Sequence, residues 1–167
     1  DLVSASAKCL YVSSYHRGYE WNDGIERGLK KVLQNKCQLD QFYMDTKRNT
    51  KQQHAKDKAL QAKQYIEKSK PDIVIAADDN ASKYIIVPYF KNADLPFVFC
   101  GVNNDASKYG YPFRNVTGMV EVAPVAKLIY SLKHFKRVES VGYIASDTMT
   151  EHMDGESYDD EIDIKYI

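Results

Sequence analysis

Five consecutive residues, Asp78-Asp79-Asn80-Ala81-Ser82, carry the densest potential for chemistry in the sequence. Two neighbouring carboxylates can hold an ammonium group. If the segment opens a helix, its free backbone N–H groups attract a carboxylate or another anion. Together these features suit a zwitterion such as an amino acid. The competing reading is helix capping by Asp79 or Asn80. Ser14 and Tyr15 offer a hydroxyl and an aromatic ring that would cover a flat or apolar ligand. Trp21 lies nearby in sequence, but core packing at a helix start is the preferred reading for it. His16 and Arg17 fit a solvent-facing loop equally well. Asn103 and Asn104, followed by Asp105, supply donors and acceptors, with turn formation as the alternative. Glu121 is a carboxylate near the crossing to the second part of the chain, where a surface charge is the more usual explanation.

Each of the first three clusters follows a short apolar run: Cys9-Leu10-Tyr11-Val12, Ile73-Val74-Ile75-Ala76-Ala77 and Phe97-Val98-Phe99-Cys100. Apolar runs of this length between helical stretches read as parallel strands buried on both faces. The carboxyl ends of such strands lie along one edge of an open α/β sheet, and ligands bind in the crevice there. Residues 13–16, 78–82 and 103–105 are therefore expected to share one rim.

Strands are expected over 8–14, 39–44, 72–77, 96–102 and 116–122. A helix over 20–34 would bury Trp21, Ile25, Gly28, Leu29, Val32 and Leu33. Gly28 would bring that helix close to the sheet. Thr50-Lys51-Gln52-Gln53 matches a capping box that opens a second helix. Ala55, Ala59, Ala62, Tyr65 and Ile66 form its stripe, and Lys70-Pro71 ends it. The third helix would start at Asp79 or Asn80 and run to Asn92, kinked at Pro88. One helical turn is expected at Ala106–Tyr109. Pro124 suits the first turn of a helix ending at Phe135. A strand over 140–145, a weak helix over 148–161 and a strand from 162 would follow. This order specifies an α/β fold: a doubly wound parallel sheet with right-handed crossovers and a flavodoxin-like strand order, 2-1-3-4-5.

Lys plus Arg and Asp plus Glu are 23 each, so the net charge is zero, which argues against a nucleic-acid binder relying on bulk electrostatics. An apolar fraction of 44% and a charged fraction of 28% fit a globular chain. No apolar stretch approaches the ~20 residues of a membrane span. The start, Asp1-Leu2-Val3-Ser4-Ala5-Ser6-Ala7, ends in an Ala-x-Ala-like pattern that can close a secretory signal. A flexible lead-in to the first strand is the preferred reading. Three cysteines and no C-x-x-C leave zinc and thioredoxin-type motifs out. A Cys9–Cys37 bridge is within reach if their strands are neighbours, but buried free thiols are preferred. Cys100 reads as a small hydrophobe.

The ordered set of segments resembles the substrate-binding proteins of ABC importers that have a type I periplasmic-binding fold, a group that includes aromatic amino-acid binders. The likeness is carried by Tyr19-Glu20-Trp21-Asn22-Asp23-Gly24, by Lys70-Pro71-Asp72-Ile73-Val74-Ile75-Ala76 and by Leu95-Pro96-Phe97-Val98-Phe99-Cys100-Gly101-Val102. Asn115-Val116-Thr117-Gly118 is similar to the family's crossing segment. Phe135-Lys136-Arg137-Val138 before Val141-Gly142-Tyr143-Ile144 is similar to the start of its second lobe. The resemblance implies a first ligand-binding lobe over 1–119 and, over 120–167, a crossing segment with an incomplete second lobe. It implies capture of a small polar or zwitterionic ligand between two lobes by hinge closure, for delivery to an ABC permease. The same fold also serves as a sensing domain of membrane signalling receptors. A periplasmic or extracytoplasmic location follows, lipid-anchored or secreted. The short second lobe is expected to reflect either a partial chain or completion from elsewhere, for example by a dimer. The acidic and amide-rich clusters depart from the small Thr/Pro-type loops of the amino-acid binders.

Enzyme readings are poor. The four histidines lack metal-ligand spacing, and nucleophile-elbow and P-loop patterns are absent. A phosphotransfer receiver would place its acceptor at Asp78. Such domains, by resemblance, carry an acidic pair after the first strand, where this chain has Ser13-Ser14-Tyr15 and magnesium would lack its carboxylates. The expectation is a binding protein without catalytic residues, metal or cofactor.

Overall fold

The run Cys9–Val12 has both sides covered because it lies inside β1 (Ala7–Ser13), next to the centre of a five-stranded sheet. A computed structural model describes residues 7–137 together with 141, 142 and 144. The elements that follow are α1 (Glu20–Leu33), β2 (Cys37–Tyr43), α2 (Gln52–Ser69) and β3 (Ile73–Ala77). Next come a single α-turn, α3 (Asp78–Ala81), continuing into a π-helix (Ser82–Phe90), and then β4 (Phe97–Asn103). A 3-10 turn (Ala106–Tyr109), β5 (Val116–Glu121) and α4 (Val125–Phe135) complete the described elements. The strand order is β2-β1-β3-β4-β5, the flavodoxin-like order. β1 pairs in parallel with β2 and β3, and β3 with β4. The architecture is thus a doubly wound α/β lobe.

Strand alternation divides the core between the two faces of the sheet. Leu10, Val12, Val74, Ala76, Phe97 and Phe99 join Ala59, Ala62 and Ile66 of α2 and Ile85, Ile86 and Phe90 of the π-helix. Tyr11, Ile75 and Ala77 meet Ile25, Leu29 and Leu33 of α1, with Leu39 and Cys100 alongside. Gly118 marks a tight approach of β5 to β4. A Cβ there would lie 2.2 Å from the Phe99 carbonyl oxygen, so only glycine fits.

Several local expectations are corrected. α1 turns only part of its expected apolar face to the sheet: Ile25, Leu29 and Leu33 pack there, but Asn22 and Glu26 are the buried residues, Val32 is 60% exposed, and Gly28 is exposed with nothing near it. Polar partners on β1 and β2 draw that side of the helix inward. The capping box of α2 does not form. Its N-cap is Lys51, without a side-chain bond, and Gln53 donates to Asp57 instead. The third helix starts at Asp78, with Ala77 as N-cap two or three residues before the expected position, so neither Asp79 nor Asn80 caps it. Beyond Ser82 the winding is π to Phe90 with Pro88 inside it, not α to Asn92.

Cys9 and Cys37 form a disulfide with their Cα atoms 5.9 Å apart, which overturns the preference for free thiols. The register explains the pairing. Cys9 faces Leu39 and Cys37 faces Ala7, so the two cysteines are diagonal neighbours on adjacent strands.

The chain divides into two compact units, Asp1–Val120 and Glu121–Ile167. The described part of the second unit contains α4. The elements expected over 140–145, 148–161 and 162–167 lie outside the described residues, apart from 141, 142 and 144.

Candidate functional site

All four of β1 to β4 deliver their carboxyl ends to one edge, and side-chain bonds tie those ends together. Ser14, fully buried after β1, is the central tie. Its Oγ donates to the Ala77 carbonyl at 2.6 Å and accepts the Ala81 N–H at 2.9 Å. A hydroxyl from a different strand thus satisfies a helix-start donor that the local sequence does not cap. The Ser14 carbonyl accepts from Thr46 Oγ1 at 2.7 Å, and Asn80 Nδ2 donates to that same Thr46 hydroxyl at 2.8 Å. Ser13 Oγ accepts from Asn22 Nδ2 of α1 and from the Tyr15 N–H.

Asp78 occupies the sharp turn from β3 into α3 with φ of 70°, a left-handed conformation unusual for aspartate. It is 5% exposed, and the Trp21 indole Nε1 donates to its Oδ1 at 3.0 Å. Gly101, with φ of 68°, faces it from β4; a Cβ there would lie 3.0 Å from Asp78 Oδ1. Burial, together with the Asp78 charge, pushes the Cys100 thiol up to about 11 and the Tyr11 phenol well above its ordinary value. Both side chains are neutral at physiological pH.

Asp79 is half-buried and engaged by three groups from the β4 end. Tyr109 donates its hydroxyl to Oδ1 at 2.6 Å, Lys108 Nζ lies 3.0 Å from the same oxygen, and the Asn103 N–H reaches Oδ2 at 3.3 Å. Lys108 also donates to the Asn103 carbonyl at 3.0 Å. Burial and the bond to Asp79 raise the Tyr109 pKa strongly, so the phenol stays a donor. Lys108 therefore sits where a ligand ammonium would sit, between a carboxylate and a carbonyl.

On the β1–β2 side, the rings of Tyr15 and Tyr19 meet edge to face, with centroids 5.3 Å apart. The Lys47 ammonium lies 5.3 Å from the Tyr15 ring centre and 5.5 Å from that of Tyr19. His16 Nδ1 is 3.6 Å from Asp45, which Arg48 grips with two bonds of 2.7 and 2.8 Å.

Residues 13–16, 78–82 and 103–105 thus do meet at one rim, joined by the contacts described above. Within it the roles differ from the sequence reading. Ser14, Ala81 and Ser82 are buried, and Ser14 and Ala81 tie the rim together, while Tyr15, Asp79, Asn80, Asn103 and Asn104 keep partial exposure. Asp105 caps the 3-10 turn through the Ser107 N–H, the turn-forming role weighed for it. Trp21 is 43% exposed and bonded to Asp78, so the core-packing reading is corrected. Glu121 ends β5, opens the second unit and is exposed.

Thr46 and Lys47 were legible by the rule that found the others, since Asp45-Thr46-Lys47-Arg48-Asn49 is also a polar cluster after a strand. Lys108 and Tyr109 carry no such signal, because their contact with Asp79 spans about 30 residues. Among the described residues, no group of three or more His, Cys, Asp or Glu is placed to hold a metal ion. No described helix is long and apolar enough to cross a membrane.

The chain is similar in structure to the ABC domain in complex with L-Trp from Streptococcus pneumoniae. The TM-score is 0.55 at 17% identity, over 77% of this chain and 43% of that one. The chain thus spans less than half the length of that protein. At this identity the likeness shows the fold alone, a doubly wound α/β lobe. No protein-family model matches the chain, and no curated protein matches it.

Proposed function

We propose that the chain is the ligand-binding lobe of an extracytoplasmic solute-binding protein for a small polar or zwitterionic ligand, an amino acid in the first instance. One observation carries the reading: four strand ends, tied to one another by buried and part-buried bonds, present Tyr15, Trp21, Asp79, Asn80 and Asn104 along one partly exposed rim. Such pre-organisation lowers the entropic cost of binding. The half-exposed Trp21 ring, fixed by its bond to Asp78, is a platform for a flat or apolar side chain. A ligand ammonium reaches Asp79 by exchanging with Lys108.

The L-Trp bound by the structurally similar ABC domain favours an aromatic amino acid. Closure of a second lobe over the rim would then signal occupancy to an ABC permease. The Cys9–Cys37 bridge favours an oxidising compartment. Binding rather than catalysis is supported by Ser14, whose hydroxyl is buried and spent on Ala77 and Ala81. Burial of Asp78 likewise opposes a phospho-acceptor role.

The test is a thermal-shift screen of the full chain against L-amino acids, sugars and simple carboxylates, followed by calorimetry. A saturable rise in melting temperature with an amino acid supports the reading, because a ligand that binds only the folded form stabilises it. Absence of any shift, or magnesium-dependent acyl-phosphate labelling of Asp78, overturns it.

A further inference from the structure

The two ends of a zwitterion need opposite charges on the protein, and the rim's charges are largely spent on one another. Asp79 is paired with Lys108, and Asp45 with Arg48. Arg17 has no carboxylate partner among the described residues, but its guanidinium donates to Gln41 and lies over the Tyr43 ring. The helix-start donor that the sequence assigns to an anion, the Ala81 N–H, is occupied by Ser14. Lys47 differs. Among the described residues its ammonium has neither a carboxylate partner nor a hydrogen-bond acceptor, and it rests on the faces of Tyr15 and Tyr19. A ring quadrupole attracts a cation without neutralising it. No counter-charge among the described residues thus neutralises Lys47, and its three donors remain for an anion. Its neighbour Thr46 bonds to Ser14 and Asn80, which fixes this corner to the same rim.

We infer that Lys47 is the anion-recognising group of the rim, docking the ligand's carboxylate from an aromatic corner formed by Tyr15 and Tyr19. The inference rests on the binding role proposed above and adds the residue that selects for a carboxylate. Lysine acts here as a point charge, so the interaction is sensitive to salt.

The test is calorimetry on the full chain with four amino acids and their amines lacking the carboxylate: L-tryptophan and tryptamine, L-tyrosine and tyramine, L-phenylalanine and phenethylamine, L-leucine and isoamylamine. The wild type and Lys47→Gln are compared at low and high salt. Charge-assisted hydrogen bonds set the expected scale: the preference for amino acid over amine falls about 10- to 100-fold in Lys47→Gln. The salt dependence of amino-acid binding falls with it, and Lys47→Arg restores part of both. A preference unchanged in Lys47→Gln overturns the inference, and so does an equal loss for amino acid and amine. Binding of a sugar alone overturns it while leaving the binding role standing. A wild-type chain that binds none of these probes and no sugar overturns both.

Discussion

The Trp21 indole Nε1 donates to Asp78 Oδ1 at 3.0 Å, linking the first turn of α1 to the carboxyl end of β3. This bond holds a strained aspartate in place and fixes the orientation of a half-exposed ring. Trp21→Phe keeps the ring and removes the donor beside a buried carboxylate. We expect a loss of about 1–3 kcal/mol, read from urea unfolding. Trp21 is the single tryptophan of the chain, so its fluorescence reports on the rim. A non-fluorescent ligand such as L-leucine should shift the emission on binding.

Ser14→Ala should destabilise the lobe without altering an exposed surface. The substitution strands the buried Ala81 N–H and removes the bond to Ala77. The expected cost is about 1–3 kcal/mol, seen as a lower denaturation midpoint with an unchanged slope. Protection of the Ala81 amide against hydrogen exchange should fall as well.

The Cys9–Cys37 bridge closes a loop of sequence separation 28. On the chain-entropy model it contributes about 3–4 kcal/mol. A double Cys9→Ala, Cys37→Ala variant should unfold at a correspondingly lower denaturant concentration. Reductant should shift the wild-type midpoint and leave that of the variant unchanged.

Glu26 gives the fold an acid-sensitive contact. Burial alone would raise its pKa, but donors from Lys30, Tyr43 and Gln41 outweigh burial and hold it below the ordinary glutamate value. A depressed folded value means that its contribution is complete above the unfolded pKa, about 4.3. That contribution is lost as pH falls through the folded value. The stability gap between wild type and Glu26→Gln should therefore be constant from pH 7 to 5 and shrink below about pH 4. Urea midpoints along that series measure it.

Hydrophobic patterning marked the apolar strands β1, β3 and β4 and the edge on which polar clusters gather, because buried parallel strands are apolar runs whose carboxyl ends lie together, while the strand order was expected from the alternation of strands and helices. Cys9 and Cys37 lay within bridging reach in the sequence, but the register that makes them diagonal neighbours exists only in the sheet. The face of α1 was read only in part for a related reason: Ile25, Leu29 and Leu33 pack as the spacing suggests, but Asn22 and Glu26 turn inward to partners on β1 and β2, which spacing along one helix does not show. Tertiary structure alone decided which rim groups remain available. Ser14 bonds across more than 60 residues, Asp79 meets Lys108, and Lys47 comes to rest on Tyr15 and Tyr19. Charge and hydrogen-bonding capacity are written in residue types, but whether a group is spent or free depends on its neighbours in space.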